Sequence, residues 1–457
     1  MNKLKICLSA MLLAGVLFNA NAQKSKDGWQ DLFNGKDLSG WKQLNGKAKY
    51  EVKDGAIVGT SVMDTPNSFL TTEKNYGDFI LELDVKVDNK LNSGIQIRSL
   101  STPDYQNGRV HGYQVEIDPS DRAWSGGIYD EARRGWLYTM DINTAGKKAF
   151  KKDAWNKYRI EAIGNTIRTF VNGIPTAYVV DDMTLSGFIC LQVHSIGNKD
   201  KALEGTQVSW KNVRIQTSNF KPTPETNIRI VNLIPNSITE AEKKEGWKQL
   251  YDGKSADQWQ GYGSTTFPSK RWTYDDGTIT IAKSDGSETG NDLVTKQLFG
   301  PAFEFQFEFK LTEGANSGVK YFVDQKFSSG GKSGIGCEYQ VLDDAKHPDA
   351  KMGKNGNRTI ASLYDVIPSV KPSNAIKKIG EWNQGRIVVS KDGTVQHFLN
   401  NQKVVEYVRG SQSFKDLVAE SKFKKFEGFG LSEKGHLLLQ DHGDNVSFRS
   451  LKVKEMK

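Results

Sequence analysis

The sequence predicts an all-β protein of two tandem β-sandwich (jelly-roll) domains, and three observations carry that expectation. Short segments alternate apolar and polar residues, as in residues 79–87 and 303–310, the pattern of strands with one buried face. Turn residues punctuate them: 44 of 457 residues are glycine, and Asn172-Gly173 and Asn400-Asn401 are placed for tight hairpins. The chain also repeats itself. Gly28-Trp29-Gln30-Asp31-Leu32-Phe33-Asn34-Gly35-Lys36 realigns with Gly246-Trp247-Lys248-Gln249-Leu250-Tyr251-Asp252-Gly253-Lys254, 218 residues on. The order then holds for Asn92-Ser93-Gly94 and Asn316-Ser317-Gly318, for Ile128-Tyr129-Asp130 and Leu363-Tyr364-Asp365, for Trp155-Asn156 and Trp382-Asn383, and for Leu191 to His194 and Leu439 to His442.

Taken in order, residues 1–22 read as a secretory signal peptide. Lys3 and Lys5 precede an apolar run, and Ala20-Asn21-Ala22 has the small-x-small form of a cleavage site. Cys7 stands ahead of the apolar run, which argues against lipoprotein processing there. The expected mature chain begins at Gln23, is periplasmic or secreted, and carries no later apolar stretch of membrane-spanning length. A first domain is expected over residues 23–217, a linker with a short helix over 218–245, and a second domain over 246–457. Pro222, Pro224 and Pro235 break up the linker, and Ser237 with Glu240 is spaced as a capping box. The repeat offset grows from 218 to 248 residues, which places insertions in the second copy, chiefly around residues 328–336 and 347–357. Other strands are expected at residues 158–162, 208–215 and 446–453.

Composition excludes several classes. Removing the signal lowers the net charge from +8 to about +6, and the remaining charge is dispersed with no basic-aromatic block for nucleic acid. Cys190 and Cys337 lie in different copies; a disulfide between them is neither implied nor excluded, and neither sits in a metal-type or His-paired motif. No Gly-rich phosphate or dinucleotide loop is present, so no cofactor is required.

Candidate chemistry concentrates on residues 112–118. Tyr113, Val115 and Ile117 share an apolar face, while Gln114, Glu116 and Asp118 share a polar one. By the same alternation Gln96, Arg98, Gln192 and His194 point outward, so that the first copy is expected to present all of these to one groove. The second copy is expected to present Lys320, Glu338, Gln340, Gln440 and His442. A solvated structural strand also shows a polar face, but seven polar residues on three strands form an inventory suited to sugar hydroxyls, which take paired hydrogen bonds from carboxylate, amide and guanidinium groups.

The Leu-Phe-Asn-Gly-Lys and Leu-Tyr-Asp-Gly-Lys openings, the Asn-Ser-Gly strand, residues 112–118, Glu338 to Asp343 and the closing Leu-Gln-Asp-His-Gly at 439–443 resemble the 3-keto-disaccharide hydrolase domain family. The resemblance covers both copies. It implies a concanavalin A-like jelly roll and an exported enzyme acting on glycosides whose C3 hydroxyl a partner oxidoreductase has oxidised. A C3 carbonyl acidifies the C2 hydrogen, so a base removes it, the C1 aglycone leaves by elimination, and water adds. In the first copy Glu116 or His194 is expected as base, Arg98 as enolate stabiliser, and Asp118, Asp130 or Glu131 as acid or orienter. Tyr129, Arg133, Trp136 and, in the second copy, Tyr364 are expected to bind substrate. The copies differ: Gln114 stands where the second has Glu338, and Glu116 where it has Gln340. The richer ionisable face favours the first copy as the active one, with a site around Glu338, Lys320 and His442 as the alternative. The carboxylates would also suit a divalent cation such as Ca²⁺, held by Glu116, Asp118 and a neighbour. Two rivals remain at this point, a conventional two-carboxylate glycosidase using Glu116 and Asp118 and a noncatalytic carbohydrate-binding protein.

Overall fold

The computed structural model describes residues 27–286, 291–324, 327, 333–372 and 375–456. The expected signal peptide and residues 328–332 of one expected insertion lie outside the described residues. Each half of the chain forms two sheets. In the first half a seven-stranded sheet runs in the order Gly135–Tyr138, Ile128–Glu131, His111–Ile117, Ser93–Leu100, Phe188–Val193, Ser68–Thr72, Trp41–Leu44. Its partner is a nine-stranded sheet centred on Asn156–Ile163, Phe79–Val87 and Gln207–Gln216. In the second half a five-stranded sheet, ordered Trp259–Gly261, Leu293–Thr295, His436–Leu439, Asn316–Val323, Cys337–Leu342, partners an eight-stranded one centred on Val446–Glu455, Phe303–Leu311 and Trp382–Val389. The protein is therefore all-β, two tandem sandwiches of the jelly-roll class, as alternation and repeat predict.

Period-two alternation builds both cores. Phe79, Leu81, Leu83 and Val85 are buried with Ile95, Ile97, Tyr113, Val115 and Ile117 of the facing sheet. Phe303, Phe305, Phe307 and Phe309 occupy the equivalent place with Val319, Tyr321, Tyr339 and Val341. Each such side chain contributes roughly 1.5–3 kcal/mol on burial, and the opposite face of the same strands is left for polar groups. The hairpin turns form where expected. Asn172 and Gly173 have φ of 51° and 79°, and Asn400 and Asn401 have 49° and 63°, the left-handed pairs that a two-residue turn between twisted strands needs.

Several expectations shift. The short helix spans Glu240–Lys244, and its capping box is made by Thr239 and Glu242, two residues after Ser237 and Glu240. Glu242 is held there by a 2.6 Å ion pair to buried Lys452 and by Asn232 at 3.0 Å, while Ser237 donates to Ile234 O. Residues 218–245 are bound along their length. Arg159 and Arg168 donate to the carbonyls of Lys221, Thr223 and Pro224, and Arg229 pairs with Glu304 of the second sandwich. Cys190 and Cys337 are buried free thiols. Among the described residues no helix is long and apolar enough to cross a membrane.

The largest extension of the second copy lies in neither expected place. The link from Gln402–Val408 to His436–Leu439 takes residues 409–435, where the first copy connects Ile174–Val180 to Phe188–Val193 with residues 181–187. It folds into the helix Gln412–Ala419 and the 3₁₀ turn Lys422–Lys425. The repeat marks it too, since the offset rises from 227 at Trp155 and Trp382 to 248 at Leu191 and Leu439, but shows nothing of the fold it takes.

Candidate active site

In both copies the same strands bring the polar residues together. Gln96 lies opposite Gln114 and Gly94 opposite Glu116; in the second copy Lys320 lies opposite Glu338 and Gly318 opposite Gln340. The glycine of each Asn-Ser-Gly motif has a steric cause. A Cβ on Gly94 would sit 2.4 Å from Gln114 Cδ, and one on Gly318 would sit 2.4 Å from Glu338 Oε1. Only glycine lets the central side chain lie across the sheet.

The first copy closes this face with hydrogen bonds. Gln96 and Gln192 both donate to Gln114 Oε1, at 2.7 and 2.8 Å, and Gln114 donates to Glu116 Oε2 at 2.9 Å. Asn92 and Arg122 take the other oxygen of Glu116, at 2.7 and 3.3 Å. Burial pushes the Glu116 carboxyl up to about 7, against the opposing pull of Asn92, Gln114 and Arg122. Asp118 lies just past the strand. Burial would raise its carboxyl, but Ser120 and Arg122 hold it below the usual carboxylate range, and it caps a tight loop through Ser120 N and Trp124 N. Arg122 stacks 4.5 Å from the Trp124 ring and 5.1 Å from Trp136, and Tyr129 packs edge-on against Trp136. Glu131 takes Arg109 at 3.2 Å. His194 follows the last residue of its strand, half-buried, with Nδ1 donating to Ser195 O at 2.7 Å.

Three expected groove residues are elsewhere. Arg98 has a φ of 46° at a register shift between Ile97 and Leu100, which breaks the alternation. Its fully buried guanidinium binds Gly77 O, Gly164 O and Asp78 at the end of the sandwich. Phe322 takes the same bulge position in the second copy, with φ 53°. Asp130 lies opposite Tyr113 and so faces the core side. There it is closed by Arg133 and Arg134, and Arg134 continues to Asp181, the hydrogen-bond partner of Tyr113. Asp130 and Arg133 thus belong to a buried ion-pair network, not to the groove.

The second copy leaves the same place open. A cavity of about 220 Å³ is lined by Lys320, Glu338, Gln440, Lys422, Phe423 and Phe426, among others. That is below the ~300–1,000 Å³ of pockets for drug-sized ligands, and it suits one sugar ring. Glu338 is 5% exposed, and with the Gln340 amide turned to place its nitrogen toward the carboxylate, Oε1 accepts from it at 3.2 Å. Burial raises its carboxyl above the ordinary value, opposed by the charges of Lys320, Lys422 and His442. Lys320 donates to Gly334 O at 3.0 Å and lies 3.7 Å from buried Asp292. Lys422 sits 4.0 Å over the Tyr364 ring, and burial lowers its ammonium despite the nearby Glu338. Tyr364 is oriented by Asp349, which accepts from its hydroxyl at 2.8 Å. Gln440 reaches the cavity and has an Oε1 without a hydrogen-bond partner.

Sequence reasoning missed Arg122, Asp292 and Lys422. Arg122 follows Asp118 by four residues in a loop, and Lys422 comes from the long link, so neither obeys the strand alternation that locates the others. Of the carboxylates that would suit a divalent cation, Glu116 and Asp118 both pair with Arg122. Among the described residues the trio with metal-type spacing is His347, His442 and Asp444.

A small cavity lined by buried charges of both signs on one sheet equips this jelly-roll protein to hold a small polar ligand. The chain belongs to the 3-keto-alpha-glucoside-1,2-lyase-like domain family, whose profile matches residues 28–216 and 246–454. It is 41% identical over 233 residues to a 3-keto-disaccharide hydrolase of Bacteroides thetaiotaomicron, covering 46% of this chain and 78% of that protein. Among solved structures it resembles two candidate glycosyl hydrolases from Parabacteroides distasonis. One is 27% identical with a TM-score of 0.42, covering 49% of this chain and all of that one. The other is 23% identical with a TM-score of 0.35, covering 46% and 99%.

Proposed function

We propose that the protein cleaves the glycosidic bond of 3-keto-glycosides by elimination and hydration, and that the second copy carries the chemistry. The observation that carries this reading is Glu338, a buried carboxylate with a raised proton affinity on a sugar-sized cavity, with Lys320 and Lys422 beside it. Family membership supports a carbohydrate hydrolase. In the proposed sequence Glu338 takes the C2 proton, and the C2–H electron pair forms the enolate with its charge on the C3 oxygen. Lys320 and Lys422 stabilise that oxygen. The enolate then reforms the C3 carbonyl while the C1–O bond breaks, and the proton that Glu338 took from C2 passes to the departing aglycone oxygen. Water adds across the new C1–C2 double bond, with hydroxyl to C1 and a proton to C2, so the net change is hydrolysis. A base whose proton affinity is tuned toward the working pH serves such a step best, and two cations in a low-dielectric site act on the developing negative charge.

The first copy is read as a noncatalytic partner domain, because Glu116 is already bound by Asn92, Gln114 and Arg122. The reading also includes export to the periplasm or beyond and an oxidoreductase that supplies the C3 ketone. The test is aglycone release from a simple β-glucoside and from its 3-keto derivative. Release from the keto compound alone is expected. Release from the plain glucoside would move the reading to conventional two-carboxylate hydrolysis.

A further inference from the structure

His347, His442 and Asp444 each offer one ligand atom, and these atoms lie within 4.8 Å of one another. The two imidazole rings are 6.0 Å apart between centroids and close to perpendicular at 83°. With metal–nitrogen bonds of about 2.0–2.1 Å, two imidazoles on one ion have centroids roughly 5–6.4 Å apart, depending on the angle between the bonds. The observed pair lies toward the wide end of that range, so small side-chain rotations would bring both rings to a tetrahedral ion.

The chain builds this trio from two separate segments. His442 and Asp444 stand two residues apart on the turn after His436–Leu439, which Asp441 tightens by accepting from Gly443 N at 3.0 Å. His347 comes from the 347–357 stretch that the first copy lacks, where it opens the 3₁₀ turn Pro348–Lys351. Asn316 N donates to Asp444 Oδ2 at 3.0 Å, which orients the carboxylate. His347 Nδ1 accepts one bond, from Asp349 N at 3.2 Å, the long limit for an N–H donor. An ion bound at that nitrogen replaces one weak contact. In the first copy His194 stands at the step of His442, but the described ring partner is Ser195 O and no second histidine accompanies it.

We propose that His347, His442 and Asp444 bind one divalent transition-metal ion of the zinc class. Two imidazoles and one carboxylate are the donor set of such ions, whereas Ca²⁺ takes six to eight oxygens. Three protein ligands also leave a fourth tetrahedral position for water or a substrate oxygen. Because Gln440, which lines the cavity of the second copy, stands two residues before His442, the ion would lie beside that cavity. Its assignment to the sugar's C3 carbonyl oxygen rests on the function proposed above; its binding does not.

The experiment uses the full-length protein after chelator treatment, titrated with Zn²⁺ by calorimetry and with Co²⁺ by visible absorption. One ion per chain is expected, with the intense visible bands of low-coordinate Co²⁺. His347→Ala and Asp444→Asn should each weaken binding by about tenfold or more, the scale by which site perturbations act, while His194→Ala binds as wild type. Failure of the intact chain to bind either ion, or binding unchanged in His347→Ala, overturns the proposal. Cleavage of the 3-keto glucoside by metal-free protein with no ion binding would reject the metal and keep the proposed function. Ion binding without cleavage would do the reverse.

Discussion

The two copies carry the same strands in the same register and yet differ in what their polar faces leave available. In the first, Gln114, Asn92 and Arg122 occupy both oxygens of Glu116, and Gln96 and Gln192 hold Gln114 in place. In the second, the exchange of Gln96 for Lys320 and of Gln114 for Glu338 puts opposite charges at facing strand positions where the first copy has an amide chain, and the 409–435 link adds Lys422. A carboxylate alone does not make an active site. Glu116 and Glu338 are both buried with raised proton affinity, and the contrast lies in their partners and in the cavity.

That contrast can be broken in several ways. The largest effect is expected from Glu338→Gln, which should lower kcat on a 3-keto glucoside by about 10²–10⁴, the worth of a general base, with an unchanged melting temperature. Lys422→Met should follow, with a loss of about 10²–10³ in kcat, the scale of removing one stabilising group for a developing oxyanion. An effect on KM alone would demote Lys422 to binding. Arg98→Leu tests the opposite outcome. It removes hydrogen bonds to Gly77 O and Gly164 O and should cost about 2–4 kcal/mol of stability in denaturant unfolding, while the folded variant keeps its kcat. The smallest effect concerns Glu116. Its carboxyl rises from 4.5 to about 7 on folding, so the folded state holds the extra proton between those values. The stability it contributes is complete below pH 4.5 and is lost as pH rises through about 7. Glu116→Gln should flatten that slope in thermal melts and, since the first copy is read as noncatalytic, leave activity unchanged.

The fold was legible because it depends on local alternation. Phe303 to Phe309 announce a half-buried strand, and the Trp-to-Gly-Lys openings announce a repeat, wherever the strands end up. The site was legible only where alternation continued. Gln96, Gln114, Lys320 and Glu338 lie on regular strand and fall where expected, whereas Arg98 sits on a bulge that no single residue marks. Asp130 was misplaced by one step of the same alternation, since its neighbour Tyr129 faces the groove and it does not. Lys422 and His347 come from segments of the second copy with no counterpart in the first, so the repeat could flag the 347–357 insertion without saying what it delivers. The preference for the first copy followed from counting ionisable residues. It did not account for Arg122, which pairs with both Glu116 and Asp118.

The central claim, that Glu338 and not Glu116 meets the C2 hydrogen, is open to one direct measurement. A 3-keto glucoside bearing bromide at C2 places an electrophilic carbon where the base works, and an attacking carboxylate displaces bromide to form an ester. Peptide mass spectrometry of the labelled protein should find that ester on Glu338, with labelling prevented by unreactive substrate analogue. An ester on Glu116, with Glu338 unmodified, would contradict the account and return the chemistry to the first copy.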